Sequence, residues 1–194
     1  MVRYRVRGGN VLQGTAFIQG AKNAVLPMIG AALLATEGRT VLRNVPIIED
    51  VRRAVELARA VGAHVELHEA ERTLVIDASR LTSPVLPAAI ARRFRGSVLF
   101  VPALMHRLGE AVIEGVGGCN LGSRNLDFHH MGYKRLGAVV EEQESVIHIK
   151  ASGLTGATLY LDTPSHTGTE NLIMAAALAK GTTVIENAAL EPEV

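Results

Sequence analysis

The chain has a single cysteine in 194 residues, no tryptophan, and aromatic residues at only 4%. One cysteine, Cys119, cannot close an intramolecular disulfide, which points away from a stapled secreted scaffold and toward a reducing cytoplasm. Charge of one sign is missing as well, since 20 Lys and Arg stand against 19 Asp and Glu. With no net field to draw it to nucleic acid or a membrane surface, neither is expected as a partner, and any anion site must be built locally. Long apolar runs are also absent. The longest, AVLPMIGAALLA at 24–35, holds a proline and falls short of the roughly 20 residues a membrane helix needs, so it reads as a buried helix. The opening MVRYRVRGGN lacks the basic, apolar, small-residue order of a secretory signal. No Cys-x-x-Cys, His-Glu-x-x-His or GxxxxGK[ST] occurs, and the adjacent His129 and His130 project to different sides of any helix or strand. No metal site is expected.

What is present is apolar residues at 48%, enough for one substantial core, and an internal repeat. GRTVLRNVP at 38–46, GEAVIEGVG at 109–117 and GTTVIENAA at 181–189 align at a spacing of about 70 residues. Each starts with a glycine suited to ending a helix, and continues with the alternation of a strand. Each follows a segment of small and aliphatic residues, NAVLPMIGAALLATE, SVLFVPALMHRL and ENLIMAAALAK, which predict interior helices. The first two strands lead into an amphipathic helix, a Gly-Ala turn and a strand pair, with Val51, Val55, Leu57 and Ala58 as the first helical stripe. The third unit runs only to EPEV, where Glu191 and Glu193 read as the acidic first turn of its second helix. The expectation is an α/β chain of helix-strand-helix-strand units with the third incomplete, part of a longer protein or completed by a second chain.

Four polar clusters stand out. Cys119 lies in GVGGCNLGSRN, too glycine-rich for core packing, where Arg124 and a nearby helix amino terminus would tune its thiol. Lys22 and Asn23 stand at the start of the first apolar helix, where backbone N–H groups and a lysine suit a phosphate or carboxylate; equally, Asn23 caps the helix and Lys22 is solvated. Arg92, Arg93 and Arg95 precede the second apolar helix, and at least two of them read as solvated. DTPSHTGTEN at 162–171 precedes the third, as a polar-ligand loop or an ordinary Ser or Thr cap. The repeat makes the helix starts at Lys22, Arg95 and Thr169 equivalent. Packing about a pseudo-threefold axis would gather them at one end.

GAKNAVLP, GGCNLGSRNLDFH with GYKRLGA, and GTENLIMAAALAKGTTVIENAALEPEV resemble the enolpyruvyl transferase family over essentially the whole chain. The cysteine loop marks the branch acting on a nucleotide sugar rather than on shikimate phosphate. The resemblance implies an inside-out α/β barrel of the EPSP synthase-like kind, with residues 1–20 a strand segment of a second, missing domain and 21–194 a truncated cysteine-loop domain. It implies a cytoplasmic enzyme of peptidoglycan synthesis. The reaction moves the enolpyruvyl group of phosphoenolpyruvate to the 3'-hydroxyl of UDP-N-acetylglucosamine and releases phosphate, with no cofactor or metal. Residue by residue, it makes Cys119 the proton donor, on a lid. Lys22 and Arg124 become contacts of the phosphoenolpyruvate phosphate or carboxylate, Asn23 a neighbour of both substrates, and Arg95 a nucleotide-sugar contact. Arg124, Asn125, Leu126, Asp127 and Phe128 fall on the uridine-binding stretch, and Thr163, Pro164, Ser165 and His166 on the diphosphate-side loop. Two departures, Asn125 for the family's usual proline and SHTGT for a common Ser-Val-Gly-Ala-Thr, leave open a paralogue with another acceptor.

Overall fold

The computed structural model describes residues 3–115 and 126–194. Three apolar helices form its interior: α1 (Lys22–Ala32), α4 (Val101–Leu108) and α6 (His166–Ala176). They pack on one another, burying Leu26, Ile29, Leu104, Met105 and Leu172. Two amphipathic helices lie outside them, α2 (Glu49–Ala60) and α5 (Asp127–Arg135), with Val51, Ala54, Val55, Leu57 and Ala58 buried on α2.

Strands β1 (Thr40–Leu42), β2 (His64–His68) and β3 (Thr73–Asp77) form an antiparallel sheet in the order β1-β3-β2. A second sheet, β4-β5-β7-β6, joins β4 (Val85–Leu86), β5 (Glu110–Glu114), β6 (Val139–Gln143) and β7 (Val146–Lys150). A third pairs β8 (Thr158–Tyr160) with β9 (Val184–Glu186) in parallel. Leu74 and Ile76, Ala111 and Ile113, and Ile147 and Ile149 alternate inward, giving each sheet one core face.

The repeat is legible in the backbone. Gly38, Gly109 and Gly181 adopt φ of 78°, 79° and 92°, the left-handed region that glycine enters without a Cβ penalty; Gly109 caps α4 directly, whereas α1 and α6 end earlier, at Leu33 and Ala177. Six residues on, Asn44, Gly115 and Asn187 again share positive φ, at 57°, 94° and 56°. Asparagine and glycine are the residues that tolerate this region best.

Several boundaries differ from the sequence reading. The unit has a leading strand, β4 or β8, parallel to the strand after the apolar helix, giving right of place to two βαβ crossovers that the sequence reading did not anticipate. Helix α1 starts at Lys22 with Ala21 in the cap position, so Asn23 lies within the first turn and is no cap. The second apolar segment follows a short helix, α3 (Ala88–Ala91), and opens with a 3-10 helix, Arg95–Phe100, before α4. Helix α6 begins at His166, not after Thr169, because the Ser165 hydroxyl accepts from the Gly168 N–H at 3.1 Å and caps it earlier. The carboxyl-terminal EPEV forms a turn closed by Val194 N–H to Glu191 O at 3.0 Å, without a helix. Residues 3–20 hold no helix or strand, and Tyr4, Val6, Val11, Leu12, Phe17 and Ile18 are exposed.

Close approaches fix the interior. A Cβ on Gly30 would stand 2.5 Å from the Leu99 carbonyl oxygen, so α1 meets the 3-10 helix only through glycine. The guanidinium of Arg107 donates to the carbonyls of Leu33 and Ala35 past the end of α1, satisfying acceptors that the helix leaves open. Buried Tyr133 on α5 donates to Asn171 Oδ1 on α6, and Asn171 Nδ2 donates to the Val98 carbonyl at 2.7 Å. Three elements are thereby tied through one amide.

Candidate functional site

The three unit starts converge. Lys22, Asn23, Leu26 and Pro27 of α1, Asp50 of α2, Phe94 to Gly96 and Leu99 around the 3-10 helix, and His166, Thr167 and Glu170 of α6 line one cleft of about 150 Å³. A second cleft, of about 620 Å³, shares Arg95, His166 and Thr167 with the first and adds residues 127–129 and 162–165. Asp127, Phe128, Thr163, Pro164 and Ser165 thus come together from two loops far apart in sequence. Leu126 sits at the start of α5 and packs against the core rather than lining either cleft. Cys119, Arg124 and Asn125 lie outside the described residues.

The first cleft mixes charges. Lys22 is held by an ion pair to Asp50, which sits in the acidic first turn of α2. Pro27 has no N–H to give the Asn23 carbonyl one turn earlier, so the backbone at the mouth of α1 keeps an open acceptor. His166, first residue of α6, lies between two carboxylates: Nδ1 is 3.3 Å from Glu170 Oε2 and Nε2 is 3.3 Å from Glu193 Oε1. Burial raises the Glu170 carboxyl to about 7 against the pull of His166, with Glu193 and Glu191 adding to the rise. Glu193 is lowered instead, first by its own backbone N–H, then by His166 and by a hydrogen bond from Asn23. In the second cleft, burial drives His129 down to about 4, helped by the charges of His130 and Arg95.

The sequence reading missed Asp50, His129 and Glu170, and took Glu193 for part of a helix. Only Glu170 had a local signal, its i,i+4 spacing from His166 on one helix face. No group of three or more His, Cys, Asp or Glu among the described residues is arranged to hold a metal ion. What the arrangement offers is cations and helix amino termini beside hydrogen-bonding side chains, suited to a ligand that is anionic in one part and polar in another.

Fold and cleft together define an α/β domain of repeated units with a cleft lined by charged and polar side chains at the starts of its interior helices. Residues 6–194 match the family described as EPSP synthase (3-phosphoshikimate 1-carboxyvinyltransferase), and the chain belongs to it. It is 76% identical over 198 aligned positions to a UDP-N-acetylglucosamine 1-carboxyvinyltransferase of Thermobifida fusca, covering 100% of this chain and 46% of that protein. A protein of that name from Dichelobacter nodosus is 46% identical, with 100% and 46% covered. The chain therefore spans about half the length of the curated relatives it matches. Among solved structures, the enolpyruvyl transferase NikO of Streptomyces tendae superposes with a TM-score of 0.83 at 26% identity, over 96% of this chain and 43% of that one. An EPSP synthase from Acinetobacter baumannii, at 18% identity and TM-score 0.73 over 93% and 42%, shares the fold. The EPSP synthase-like α/β fold that the family resemblance implied is shared by these neighbours. No helix among the described residues is long and apolar enough to cross a membrane.

Proposed function

We propose that this chain supplies the cysteine-loop part of a cytoplasmic UDP-N-acetylglucosamine 1-carboxyvinyltransferase, which moves the enolpyruvyl group of phosphoenolpyruvate to the sugar 3'-hydroxyl and releases phosphate. The observation that carries the reading is the convergence of Lys22, Asn23, Arg95 and His166, from three separate repeats, on one cleft. The 76% identity to the Thermobifida relative supports the choice of acceptor. In this reading the methylene carbon of phosphoenolpyruvate takes a proton from the Cys119 thiol and becomes a methyl group, while the acceptor hydroxyl adds to the oxocarbenium-like carbon and gives its proton to a base of the second domain. The methyl group then returns a proton to the thiolate as phosphate leaves, and the C=C of the enol ether forms. Lys22 and Arg124 hold the anionic groups, Asn23 stands between the two substrates, and Arg95 contacts the nucleotide sugar. Residues 124–128 hold the uridine, and Thr163, Pro164, Ser165 and His166 flank the diphosphate. Residues 1–20, whose described part exposes Tyr4, Val6, Leu12 and Phe17, belong to a second domain that closes on 21–194.

The test uses the full-length protein. Phosphate should appear from phosphoenolpyruvate only when UDP-N-acetylglucosamine is present, and Cys119→Ser should lower turnover by at least about 100-fold, the usual scale for a lost general acid. Phosphate release driven by shikimate 3-phosphate overturns the reading. His166 and Thr167, which replace the family's common Val-Gly on the cleft wall, favour a second reading with a different nucleotide sugar as acceptor. A panel of such acceptors in the same assay separates the two.

A further inference from the structure

Glu170 belongs to none of the residues assigned above, yet it forms part of the inner wall of the first cleft. Its side chain is only 6% exposed. Oε2 faces His166 Nδ1 at 3.3 Å, whereas Oε1 has no hydrogen-bond partner among the described residues. Buried polar atoms in folded proteins are nearly always paired, and one facing a ligand cleft without a partner marks a place where a ligand group completes it. The neighbours restrict that group. Lys22 and Arg95 line the same cleft and suit phosphate or carboxylate, while a carboxyl side chain repels both. In the nucleotide-sugar reading the nucleotide takes the larger second cleft, which shares Arg95 and His166 with the first. An uncharged hydrogen-bonding group is left for Glu170.

We propose that Glu170 is a specificity-determining residue whose Oε1 hydrogen-bonds a hydroxyl or amide N–H on the sugar of the acceptor, with His166 holding the other carboxyl oxygen. The proposal rests on the nucleotide-sugar reading and deepens it. The i,i+4 spacing on α6 serves two ends: His166 fixes the rotamer of Glu170 through Oε2, and the helix places the Glu170 side chain in the cleft wall.

The experiment is titration calorimetry on the full-length protein with two probes, UDP-N-acetylglucosamine and UDP, against wild type, Glu170→Ala, Glu170→Gln and the volume-conserving Glu170→Met. UDP lacks the sugar and reports an intact nucleotide cleft in each variant. The alanine and methionine variants should bind UDP-N-acetylglucosamine about 10- to 100-fold more weakly, the usual scale for one hydrogen bond to a charged group. Their UDP affinity should stay within about threefold, and Glu170→Gln should recover most of the loss because its amide oxygen still accepts. Equal weakening of both probes in the alanine and methionine variants means Glu170 only holds the fold, and overturns the proposal. So does unchanged affinity for both. Wild-type protein that binds UDP but not the sugar nucleotide overturns the function reading, and this proposal with it. Wild-type binding with an indifferent Glu170→Ala overturns this proposal alone.

Discussion

His129 sits where the core and the second cleft meet, 5% exposed and with Nδ1 unpartnered among the described residues. Burial holds it neutral down to about pH 4. In an unfolded chain the same imidazole takes up a proton near pH 6.5. Between those values the unfolded state binds the extra proton, so acid favours unfolding; the stabilisation is complete above pH 6.5 and is lost as pH falls toward 4. The loss integrates to on the order of 3 kcal/mol. Glu170, raised to about 7, acts in the opposite direction between roughly pH 4.5 and 7. It is unchanged in a His129→Gln variant, so the difference between the two proteins isolates the histidine. Urea unfolding at half-unit steps from pH 4.5 to 7.5 should show the wild type losing stability relative to His129→Gln as pH falls. A constant difference across the series would remove His129 from the account.

Elements meet through single atoms here, and that sets where substitution is costly. A methyl group on Gly30 would press against the Leu99 backbone carbonyl, which has no side-chain rotation to escape by. Gly30→Ala should therefore destabilise by about 1–3 kcal/mol despite alanine's better helix propensity. Tyr133→Phe leaves the fully buried Asn171 amide oxygen without its donor and should cost about 1–2 kcal/mol. Guanidinium chloride midpoints measure both, and a stabilised Gly30→Ala would show that α1 can shift. The repeating positions of glycine and aliphatic residues made the interior helices, β1, β5, β9 and both strand hairpins legible in the sequence. β4 was not, because Val85 and Leu86 lie between Pro84 and Pro87, which read as loop. The Ser or Thr cap expected before α6 is made by Ser165, which starts the helix at His166, ahead of the Thr169 entry that the repeat suggested. Lys22 and Arg95 were legible as helix-start residues, since helix polarity makes such positions anion sites. His166 came only from the family resemblance, the repeat having pointed to Thr169, which is buried with its hydroxyl accepting from the Ala189 N–H. Asp50 and His129 were not, because each reaches its cleft only through packing between units.

At the scale of the whole molecule, the balance of charge in the first cleft matters most. Lys22 is paired with Asp50, and His166 stands between Glu170 and Glu193, so the described residues at this cleft nearly neutralise one another. Phosphoenolpyruvate brings both a phosphate and a carboxylate, and a balanced half-site cannot hold both charges against water. In the proposed reading the remaining cations come from Arg124 and from a second domain closing over the cleft, in keeping with a chain that covers 46% of its Thermobifida relative. Each missing charge-assisted hydrogen bond weakens binding by about 10- to 100-fold. The 194-residue chain alone should therefore bind phosphoenolpyruvate at least about 100-fold more weakly than the full-length protein, and release no phosphate. The same closure governs the thiol: an epoxide phosphonate of the fosfomycin type should add to Cys119 in the full-length protein with UDP-N-acetylglucosamine bound. In the isolated chain the intact mass should stay unmodified, because an electrophile with no phosphonate clamp is not held against the sulfur. Equal rates of adduct formation in the two proteins would show that the cysteine loop is competent by itself and that closure contributes nothing to its reactivity.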